Sequence, residues 1–470
     1  MVMALPYANH MAANNLHGRV IVVHAAKPQQ SMEKSSPPVA TPPTRFVPTP
    51  AGPWNKVIPT QVMAEPLPYT PPPAFSGAYG NQSTHSLSPG VAWNLPARYD
   101  LQRQLGLGAF GTVREAFDTI TRTQLAIKRV HGIFAEPTRC KNILREATLM
   151  SRFQHPNIVR LVGVYLPPSA VTPETEFYIL MAMCQSDMQK MLRIPGLKLS
   201  NLQRANMYYG VLLALTYLHS GGICHRDIKP ANCLVNEDCS VQVCDFGMAC
   251  TVAELADRLA SDDAAGTETT PWYSAPELIL CLRQHDEAVD VWSAGCIFAE
   301  LTALSDVSPA RYEDRAPLFP GTLVSLWHAP PGVYNAGKHD QLDAIFNVIG
   351  TPSSRDLELL ESSAEECVRQ FPQRPGRGLT SSVPGASAHE AELLEKMIVF
   401  SPRLRQSAKE LLAAAFLREV RDPPKELVAL ERLDCLITEV NTPMNLDEPP
   451  FLEEFRQLAL SVNEGLPVNA

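Results

Sequence analysis

The sequence lacks the features that membrane, nucleic-acid-binding and disulfide-stabilised proteins share. No stretch reaches the roughly 18 consecutive apolar residues that a membrane-spanning helix needs. The formal net charge is −9, so there is no excess of basic residues to attract nucleic acid or an anionic membrane. The 11 cysteines form no C-x-x-C pair and no zinc-ligand spacing, which indicates reduced thiols. We therefore expect neither nucleic acid nor a membrane as a partner.

The N-terminus also lacks the usual targeting signals. No basic segment precedes an apolar core there, as it would in a secretory signal peptide. Val2 follows Met1, so no glycine stands where myristoylation would require one. Together with the reduced cysteines, these observations predict a cytoplasmic and/or nuclear protein, and composition does not distinguish the two compartments.

The first 97 residues differ in composition from the rest. Prolines at 37–38, 42–43 and 71–73 stand among Ser, Thr, Ala and Gly, with little helical or strand periodicity. Such a segment buries too little apolar surface to offset its chain entropy, so we predict a disordered tail over residues 1–97. Ser-Pro and Thr-Pro pairs within it suit a regulatory tail, but an inert extension is the simpler interpretation. These pairs begin at Ser36, Thr41, Thr49, Thr70 and Ser88.

A polar loop between two apolar segments, H-R-D-I-K-P-A-N at residues 225–232, carries the most informative chemistry. It places a carboxylate (Asp227), an ammonium group (Lys229) and a carboxamide (Asn232) close together. A second carboxylate, Asp245, opens the D-F-G sequence that follows. The set suits transfer of a phosphoryl group to a hydroxyl, with Asp227 taking the hydroxyl proton and Lys229 offsetting charge. Oxygens of Asn232 and Asp245 would bind Mg²⁺.

The alternative interpretation of this loop is a solvated surface segment. The two motifs occur in the right order and at the right separation, which argues against it.

A glycine-rich turn lies between two strand-like runs near the start of the predicted ordered region. Glycines let backbone amides approach a phosphate without a Cβ in the way. A lone G-x-G-x-x-G also fits a dinucleotide-binding turn, but that interpretation needs a helix to follow, and residues 113–117 have strand character. The candidates for phosphate contacts are Leu105, Gly106, Leu107, Gly108, Ala109, Phe110, Gly111, Thr112 and Val113.

Two further charged residues follow this turn. Lys128 lies on a predicted strand over residues 124–130, and Glu146 lies on a predicted helix over residues 141–153. Glu146 faces inward if the apolar residues of that helix pack together. In isolation, each would more simply be an exposed charged side chain.

These motifs resemble the landmarks of eukaryotic protein kinases: an H-R-D-x-K-x-x-N catalytic loop, a D-F-G metal motif and an A-P-E sequence that closes the activation segment. Every landmark occurs once and in order, with A-P-E at residues 275–277. The resemblance implies an α+β fold of two lobes, an antiparallel small lobe with one helix and a mainly α-helical large lobe. It also implies a kinase domain over residues 98–420 and a C-terminal extension, 421–470, that packs back on the lobes.

The resemblance assigns roles to single residues and names the cofactors. Lys128, held by Glu146, would position the α- and β-phosphates of ATP. Backbone groups of Ala182 and Met183 would bind adenine, and Asp187 would contact the ribose. The cofactors are then ATP and Mg²⁺, and the substrates are serine or threonine hydroxyls of proteins.

Several stretches indicate the branch of kinases. T-P-W-Y-S-A-P-E at residues 270–277 resembles the T-R-W-Y-R-A-P-E of mitogen-activated and cyclin-dependent kinases. L-F-P-G at 318–321 and I-G-T-P at 349–352 resemble large-lobe segments of the same group, known as CMGC. The late D-E-P-P-F at 447–451 favours the mitogen-activated branch.

The departures from that branch concern phosphorylation of the activation segment. The family's T-x-Y motif is absent, because the corresponding sequence is A-G-T-E-T at residues 265–269. Arginines that bind the phosphates in relatives are replaced by Cys250, Pro271 and Ser274. Ser274 also weakens the case for a strict preference for proline after the phosphorylated residue. Dual threonine and tyrosine phosphorylation is therefore not expected.

One phosphothreonine remains compatible with the sequence. Arg145 and Arg226 are retained, and such side chains can bind a phosphate through charge-assisted hydrogen bonds. We predict that an upstream kinase phosphorylates either Thr267 or Thr269 as a single regulatory site. Threonines of an ordinary solvated loop are the alternative.

Two rival functions are possible for a chain with these motifs. A pseudokinase scaffold usually loses the ATP-positioning lysine, the catalytic aspartate or the metal aspartate, and all three are present here. A cyclin-dependent-type kinase would need a partner subunit, but the helix around Glu146 lacks the P-S-T-A-I-R-E pattern. We therefore expect an active kinase with protein substrates that works as a monomer.

Overall fold

The computed structural model describes residues 92–108, 111–168, 171–252, 271–282, 286–321, 331–357, 360–433 and 451–463. Within them the predicted α+β architecture of two lobes is confirmed, with an antiparallel sheet and one long helix first and a mainly helical part after it.

The secondary-structure elements of the described residues are as follows. The strands are β1 Tyr99–Gly108, β2 Gly111–Asp118, β3 Thr123–Val130, β4 Leu161–Tyr165, β5 Phe177–Ala182, β6 Ser186–Asp187, β7 Ile223–Cys224, β8 Cys233–Val235, β9 Val241–Val243 and β10 Cys250–Thr251. The helices are α1 Pro137–Arg152, α2 Met188–Leu192, α3 Asn201–Ser220, α4 Pro276–Ile279, α5 Ala288–Leu301, α6 Pro331–Ile349, α7 Ser354–Leu357, α8 Ser362–Arg369, α9 Leu379–Ser382, α10 Ala388–Met397, α11 Ala408–Leu411 and α12 Leu452–Asn463. Short 3₁₀ turns span Pro230–Asn232, Pro271–Tyr273, Thr302–Leu304, Tyr312–Asp314, Pro402–Leu404, Ala415–Leu417 and Pro423–Lys425.

The small lobe is a five-stranded antiparallel sheet in the order β1-β2-β3-β5-β4. The strand predicted over 124–130 is β3, which is buried from Leu125 to Val130 because both of its faces are covered. The predicted helix is α1, and it begins at Pro137, ahead of the predicted start. Proline suits the first helical position because its missing N–H would have no intrahelical partner there.

The large lobe is built around α3 and α5, whose side chains are almost all buried. A capping box begins α3: the Ser200 hydroxyl accepts from the Gln203 amide at 3.3 Å, and the Gln203 side chain accepts from the Ser200 amide at 2.8 Å. The helix ends at Ser220, directly before Gly221. A two-residue loop therefore leads from the rigid end of α3 to β7 and the segment that carries Asp227.

Two buried ion pairs connect distant parts of the large lobe. Arg204 on α3 contacts both carboxylate oxygens of Glu390 on α10, at 3.1 and 2.9 Å. Arg405 contacts both oxygens of Glu277, the glutamate of the A-P-E sequence, at 2.7 and 3.2 Å. All four side chains are almost completely excluded from solvent, so each bidentate pair satisfies charges that would be costly to bury alone.

Segments from both sides of the predicted kinase domain pack on the small lobe. Trp93 lies against Tyr178, with ring centroids 5.8 Å apart. The last described helix, α12, inserts Phe455 next to Phe134 and Phe177, with centroids 5.9 and 4.8 Å away. The domain boundaries at residues 97 and 420 remain predictions. Across the described residues, we find no helix with both the length and the apolar character to cross a bilayer.

Candidate active site

A cavity of about 470 Å³ opens where the sheet of the small lobe faces the large lobe. Most of the predicted site residues line it, although they come from distant parts of the chain. They are Leu105, Gly106, Leu107, Gly111, Val113, Lys128, Glu146, Ala182, Met183, Asp187, Asp227, Lys229, Asn232 and Asp245.

The other predicted residues have different positions. Gly108 ends β1, and Thr112 lies in β2 and is not among the described residues that line the cavity. Ala109, Phe110, Thr267 and Thr269 lie outside the described residues. The sequence is therefore the only support for their proposed roles.

Lys128 is the centre of a charge cluster at the inner end of the cavity. Its Nζ lies 2.7 and 3.0 Å from the two carboxylate oxygens of Glu146. The same nitrogen lies 3.2 Å from Oδ1 of Asp245 in the large lobe. Strand β3 supplies the lysine, α1 the glutamate and the loop after β9 the aspartate, so the cluster forms only when the three elements pack together.

The electrostatics of this cluster keep Lys128 and Asp245 charged. Burial by itself would lower the pKa of Lys128, but the charges of Asp245 and Glu146 outweigh burial and raise that pKa above its ordinary value. Burial would likewise raise the pKa of Asp245, but the Lys128 charge holds it below its ordinary value. The result is an ammonium group and an ionised carboxylate facing the same cavity.

Asp227 is held from two sides within the catalytic loop. Lys229 donates to its carboxylate at 3.0 and 2.8 Å. The Asn232 side-chain nitrogen donates to the backbone oxygen of Asp227 at 2.8 Å and to its Oδ2 at 2.9 Å. Burial raises the pKa of Asp227 above its ordinary value, although the Lys229 charge opposes this. A raised pKa makes this carboxylate a better proton acceptor than an exposed aspartate.

A buried carboxylate on α5 fixes the conformation of the loop before Asp227. Asp290 accepts hydrogen bonds from the backbone amides of His225 and Arg226, each at 2.8 Å. It also lies 3.0 Å from Nε2 of His219. Arg226 has a φ of 66°, a left-handed conformation that a non-glycine residue adopts at a cost of about 1–3 kcal/mol. Sequence analysis did not assign Asp290 this role.

The loop also contacts the D-F-G segment. His225 Nε2 lies 3.0 Å from the backbone oxygen of Cys244, and the Cys244 amide donates to the Asn232 backbone oxygen at 3.0 Å. The ring of His225 lies 5.0 Å from that of Phe246. These contacts hold Asn232 and Asp245, the two predicted metal ligands, on neighbouring segments.

The glycine-rich turn is the hairpin between β1 and β2. A strand and not a helix follows it, which excludes the dinucleotide-binding interpretation. Gly111 has a φ of 149°, and a Cβ at this position would lie 2.0 Å from the backbone oxygen of Arg129. Only glycine therefore lets β2 pass this close to β3.

The chain also matches a known protein family. The model of the protein kinase domain matches residues 99–417, which is more than half of the chain. The chain belongs to the protein kinase family.

The relatives of this chain indicate which group of protein kinases it is similar to. Mitogen-activated protein kinase 13 of Homo sapiens is 33% identical over 345 residues, covering 73% of this chain and 85% of the relative. Mitogen-activated protein kinase 10 of Arabidopsis thaliana is 34% identical over 375 residues, covering 78% and 84%. Mitogen-activated protein kinase HOG1 of Cryphonectria parasitica is 31% identical over 357 residues, covering 76% and 88%. The predicted serine/threonine protein kinase, similar to mitogen-activated protein kinases, is confirmed.

Arg145 and Arg226, which the sequence predicts to bind a phosphate, both belong to the described residues. Arg226 donates to the sulfur of Cys250 at 3.9 Å, a weak contact at the position where relatives have an arginine. Its buried Nε has no hydrogen-bond partner among the described residues. Arg145 is buried on α1, directly before Glu146. Arg226 therefore has a buried donor that no described group uses.

Proposed function

We propose that the kinase transfers the γ-phosphoryl group of MgATP to serine or threonine hydroxyls of proteins, with Asp227 as the general base. Protein kinases use ATP and Mg²⁺ in general, and the residues of this cavity suit both. The observation that carries the proposal is the convergence of the Lys128–Glu146 pair, Asp245 and the Asp227–Lys229 pair on one cavity. A pseudokinase scaffold would not need all of these groups.

Each residue has a distinct task in this proposal. Asp227 orients the substrate hydroxyl and accepts its proton, which its raised pKa favours. Lys229 lies beside Asp227 and stabilises the charge of the transferred group. Lys128, fixed by Glu146, holds the α- and β-phosphates. Backbone groups at Ala182 and Met183 bind the adenine.

The candidate metal ligands are chemically suitable for Mg²⁺. Asp245 supplies a carboxylate and Asn232 an amide oxygen, and oxygen donors are what this ion prefers. The Asn232 nitrogen makes both bonds to Asp227, which leaves its side-chain oxygen to face another group. Within the described residues, there is no cluster of three or more His, Cys, Asp or Glu side chains that could hold a metal ion. Phosphate and water oxygens would complete the coordination, and bound Mg²⁺ would neutralise phosphate charge.

The first test compares phosphate transfer by the wild type and by Asp227→Ala. We expect activity on a generic protein substrate to fall by about 10²–10⁴-fold, because general-base catalysis contributes that much. Calorimetric titration with MgATP should give the same affinity for both proteins. Equal transfer by the two proteins would contradict the role of Asp227, and absence of MgATP binding would contradict the nucleotide site. Activity of the purified single chain would exclude a required partner subunit.

We also propose that an upstream kinase phosphorylates one threonine of the activation segment and thereby regulates this kinase. The unused Nε of Arg226 supports a single anion near the segment. Either Thr267→Ala or Thr269→Ala should lower activity by about tenfold or more and remove the phosphate, since charge-assisted bonds to arginine are strong. The other variant serves as the matched control. Full activity and unphosphorylated segments in both would contradict the proposal.

The location and assembly of the kinase are proposals of the same kind. We propose a cytoplasmic and/or nuclear kinase that acts as a monomer on protein substrates. Its negative charge and reduced cysteines support this.

A further inference from the structure

One lysine of the large lobe crosses the mouth of the nucleotide cavity to reach the glycine-rich hairpin. Lys190 lies on α2, and its Nζ donates to the backbone oxygen of Leu105 at 3.0 Å. Leu105 lies in β1 directly before Gly106. Both residues line the cavity, and so does Lys190. The contact joins residues 85 positions apart in the chain and on opposite lobes.

The same lysine is fixed at its base by Asp187. The Asp187 carboxylate caps α2 by accepting from the Lys190 amide at 2.8 Å. Its other oxygen lies 2.8 Å from the Lys190 Nζ. Asp187 is largely buried, with 12% of its side chain exposed, whereas 49% of the Lys190 side chain is exposed. The carboxylate therefore holds the flexible lysine in a direction that leads across the cavity.

We propose that Lys190 is a positioning residue whose bond to the Leu105 carbonyl, the Lys190–Leu105 bridge, holds β1 of the glycine-rich hairpin in place beside the nucleotide cavity. This inference rests on the proposed nucleotide site. The bridge acts on ATP through the hairpin and not through a direct contact with the phosphates.

The physical reason is the conformational freedom of glycine. Glycines at 106, 108 and 111 let backbone amides approach phosphate, but a glycine also loses more conformational freedom than other residues when it is held in one conformation. A bond from the large lobe to residue 105 restricts this freedom before nucleotide arrives, so less entropy is lost on binding. An ammonium group has three donors, so Lys190 can keep its bond to Leu105 while a ribose hydroxyl competes for Asp187.

The effect must be moderate because the bridge is at the surface. A single hydrogen bond of this kind changes an equilibrium by about two- to tenfold, and solvent screening keeps it within that range. We therefore expect Lys190→Met to raise the dissociation constant for MgATP by about two- to tenfold. The kcat at saturating ATP should stay within about twofold, because Lys190 touches none of the groups that transfer the phosphoryl.

The experiment measures hydrogen exchange of residues 101–108 together with MgATP affinity and the separate values of kcat and KM. In Lys190→Met, backbone amides of this strand should exchange faster, both with and without nucleotide. Lys190→Arg keeps a long cationic donor and should restore slow exchange and most of the affinity.

Lys198→Met is the matched control. Lys198 also donates to backbone oxygens, those of Ser305 at 3.1 Å and Ser308 at 3.2 Å, but within the large lobe. Its loss should leave exchange of residues 101–108 and MgATP affinity unchanged.

Three results would overturn the inference. If Lys190→Met weakened MgATP binding without faster exchange of 101–108, the lysine would act on the nucleotide directly. If Lys198→Met had the same effect, general loosening of the large lobe would explain it. If neither exchange nor affinity changed in Lys190→Met, the bridge would have no positioning role.

The outcome is separable from that of the proposed function. The exchange comparison without nucleotide tests the bridge even if the wild type transfers no phosphate. Conversely, normal phosphate transfer with unaltered exchange in Lys190→Met would uphold the proposed function and reject the bridge.

Discussion

Buried carboxylates organise the backbone of this kinase at the scale of single residues. Asp290 holds two amides of the catalytic loop, and its own pKa stays below the ordinary value because His219 and neighbouring donors outweigh burial. Asp118 has a comparable role at the end of β2. It accepts from the amides of Ile120 and Thr121, which shapes the turn into β3, and it pairs with Arg98 at 2.6 Å. The Asp118 carboxylate therefore holds both the turn between β2 and β3 and Arg98, which lies directly before β1.

Asp118 gives a prediction about stability and pH. Burial would raise its pKa, but bonds from Arg98 and Thr121 lower it to about 2 from the ordinary 3.8. A lowered pKa in the folded state stabilises the fold above the unfolded pKa, and this contribution is lost as pH falls toward 2. Asp118→Asn should lower the free energy of unfolding by about 1–2 kcal/mol at pH 7.

Urea unfolding at pH 7, 5 and 3 measures this effect. The difference between wild type and Asp118→Asn should shrink as pH falls below the unfolded pKa. Asp306→Asn, which changes an exposed aspartate, is the control and should match the wild type at each pH. A difference that is constant from pH 7 to pH 3 would show that the ionised carboxylate is not what stabilises the turn.

At the scale of elements, α12 completes the small lobe. The sheet ends at β4, an edge strand, and the Asn463 side chain pairs with the backbone of Val164 there, donating at 2.7 Å and accepting at 3.2 Å. Phe455 is fully buried against Phe134 and Phe177. The helix thereby covers an edge that would otherwise expose unpaired backbone groups. It also packs on α1, the helix that supplies Glu146.

Removal of the Phe455 ring tests this packing. Phe455→Ala should lower the free energy of unfolding of the small lobe by about 3–5 kcal/mol, because it leaves a cavity in a buried aromatic cluster. Leu460→Ala on the same helix is the control, since Leu460 is 67% exposed and its loss should change stability by less than about 0.5 kcal/mol. Similar chemical denaturation curves for both variants would mean that α12 does not stabilise the lobe.

At the scale of the whole molecule, the described fold begins before the predicted domain boundary. The guanidinium groups of Arg114 and Arg129 lie 5.8 and 5.5 Å from the ring of Trp93, and the Asn94 amide donates to the Tyr178 hydroxyl at 2.8 Å. These contacts cover the outer face of the sheet. They suggest that residues 92–97 belong to the folded unit, whereas the sequence assigned them to the tail.

Two truncations test where the folded unit begins. A chain that starts at residue 92 should match the full chain in melting temperature and in activity per molecule. A chain that starts at residue 98 should lose about 1–2 kcal/mol of stability, since it lacks the Trp93 contacts with apolar surface and two cations. Equal melting temperatures for the two truncations would support the boundary at residue 97.

Local sequence predicted the elements whose causes are local. The capping box at Ser200, the strand after the glycine turn and the helix that carries Glu146 each follow from neighbouring residues. The motifs around Asp227 and Asp245 were equally readable, because reacting groups must keep fixed spacing within one loop. Fold class, kinase family and many of the residues that line the cavity could therefore be inferred before any contact was known.

Tertiary structure alone decided the contacts between distant residues. Nothing near Asp290, Phe455, Trp93 or Lys190 in the chain reveals what each one touches, because their partners lie on other elements. A buried carboxylate, an aromatic insert and a lysine across a cleft look ordinary within their own helix or segment. The sequence by itself determined which chemistry the kinase can perform, since that depends on residue types in short motifs. Packing decided how the loop, the helix and the hairpin are held for it, since that depends on long-range neighbours.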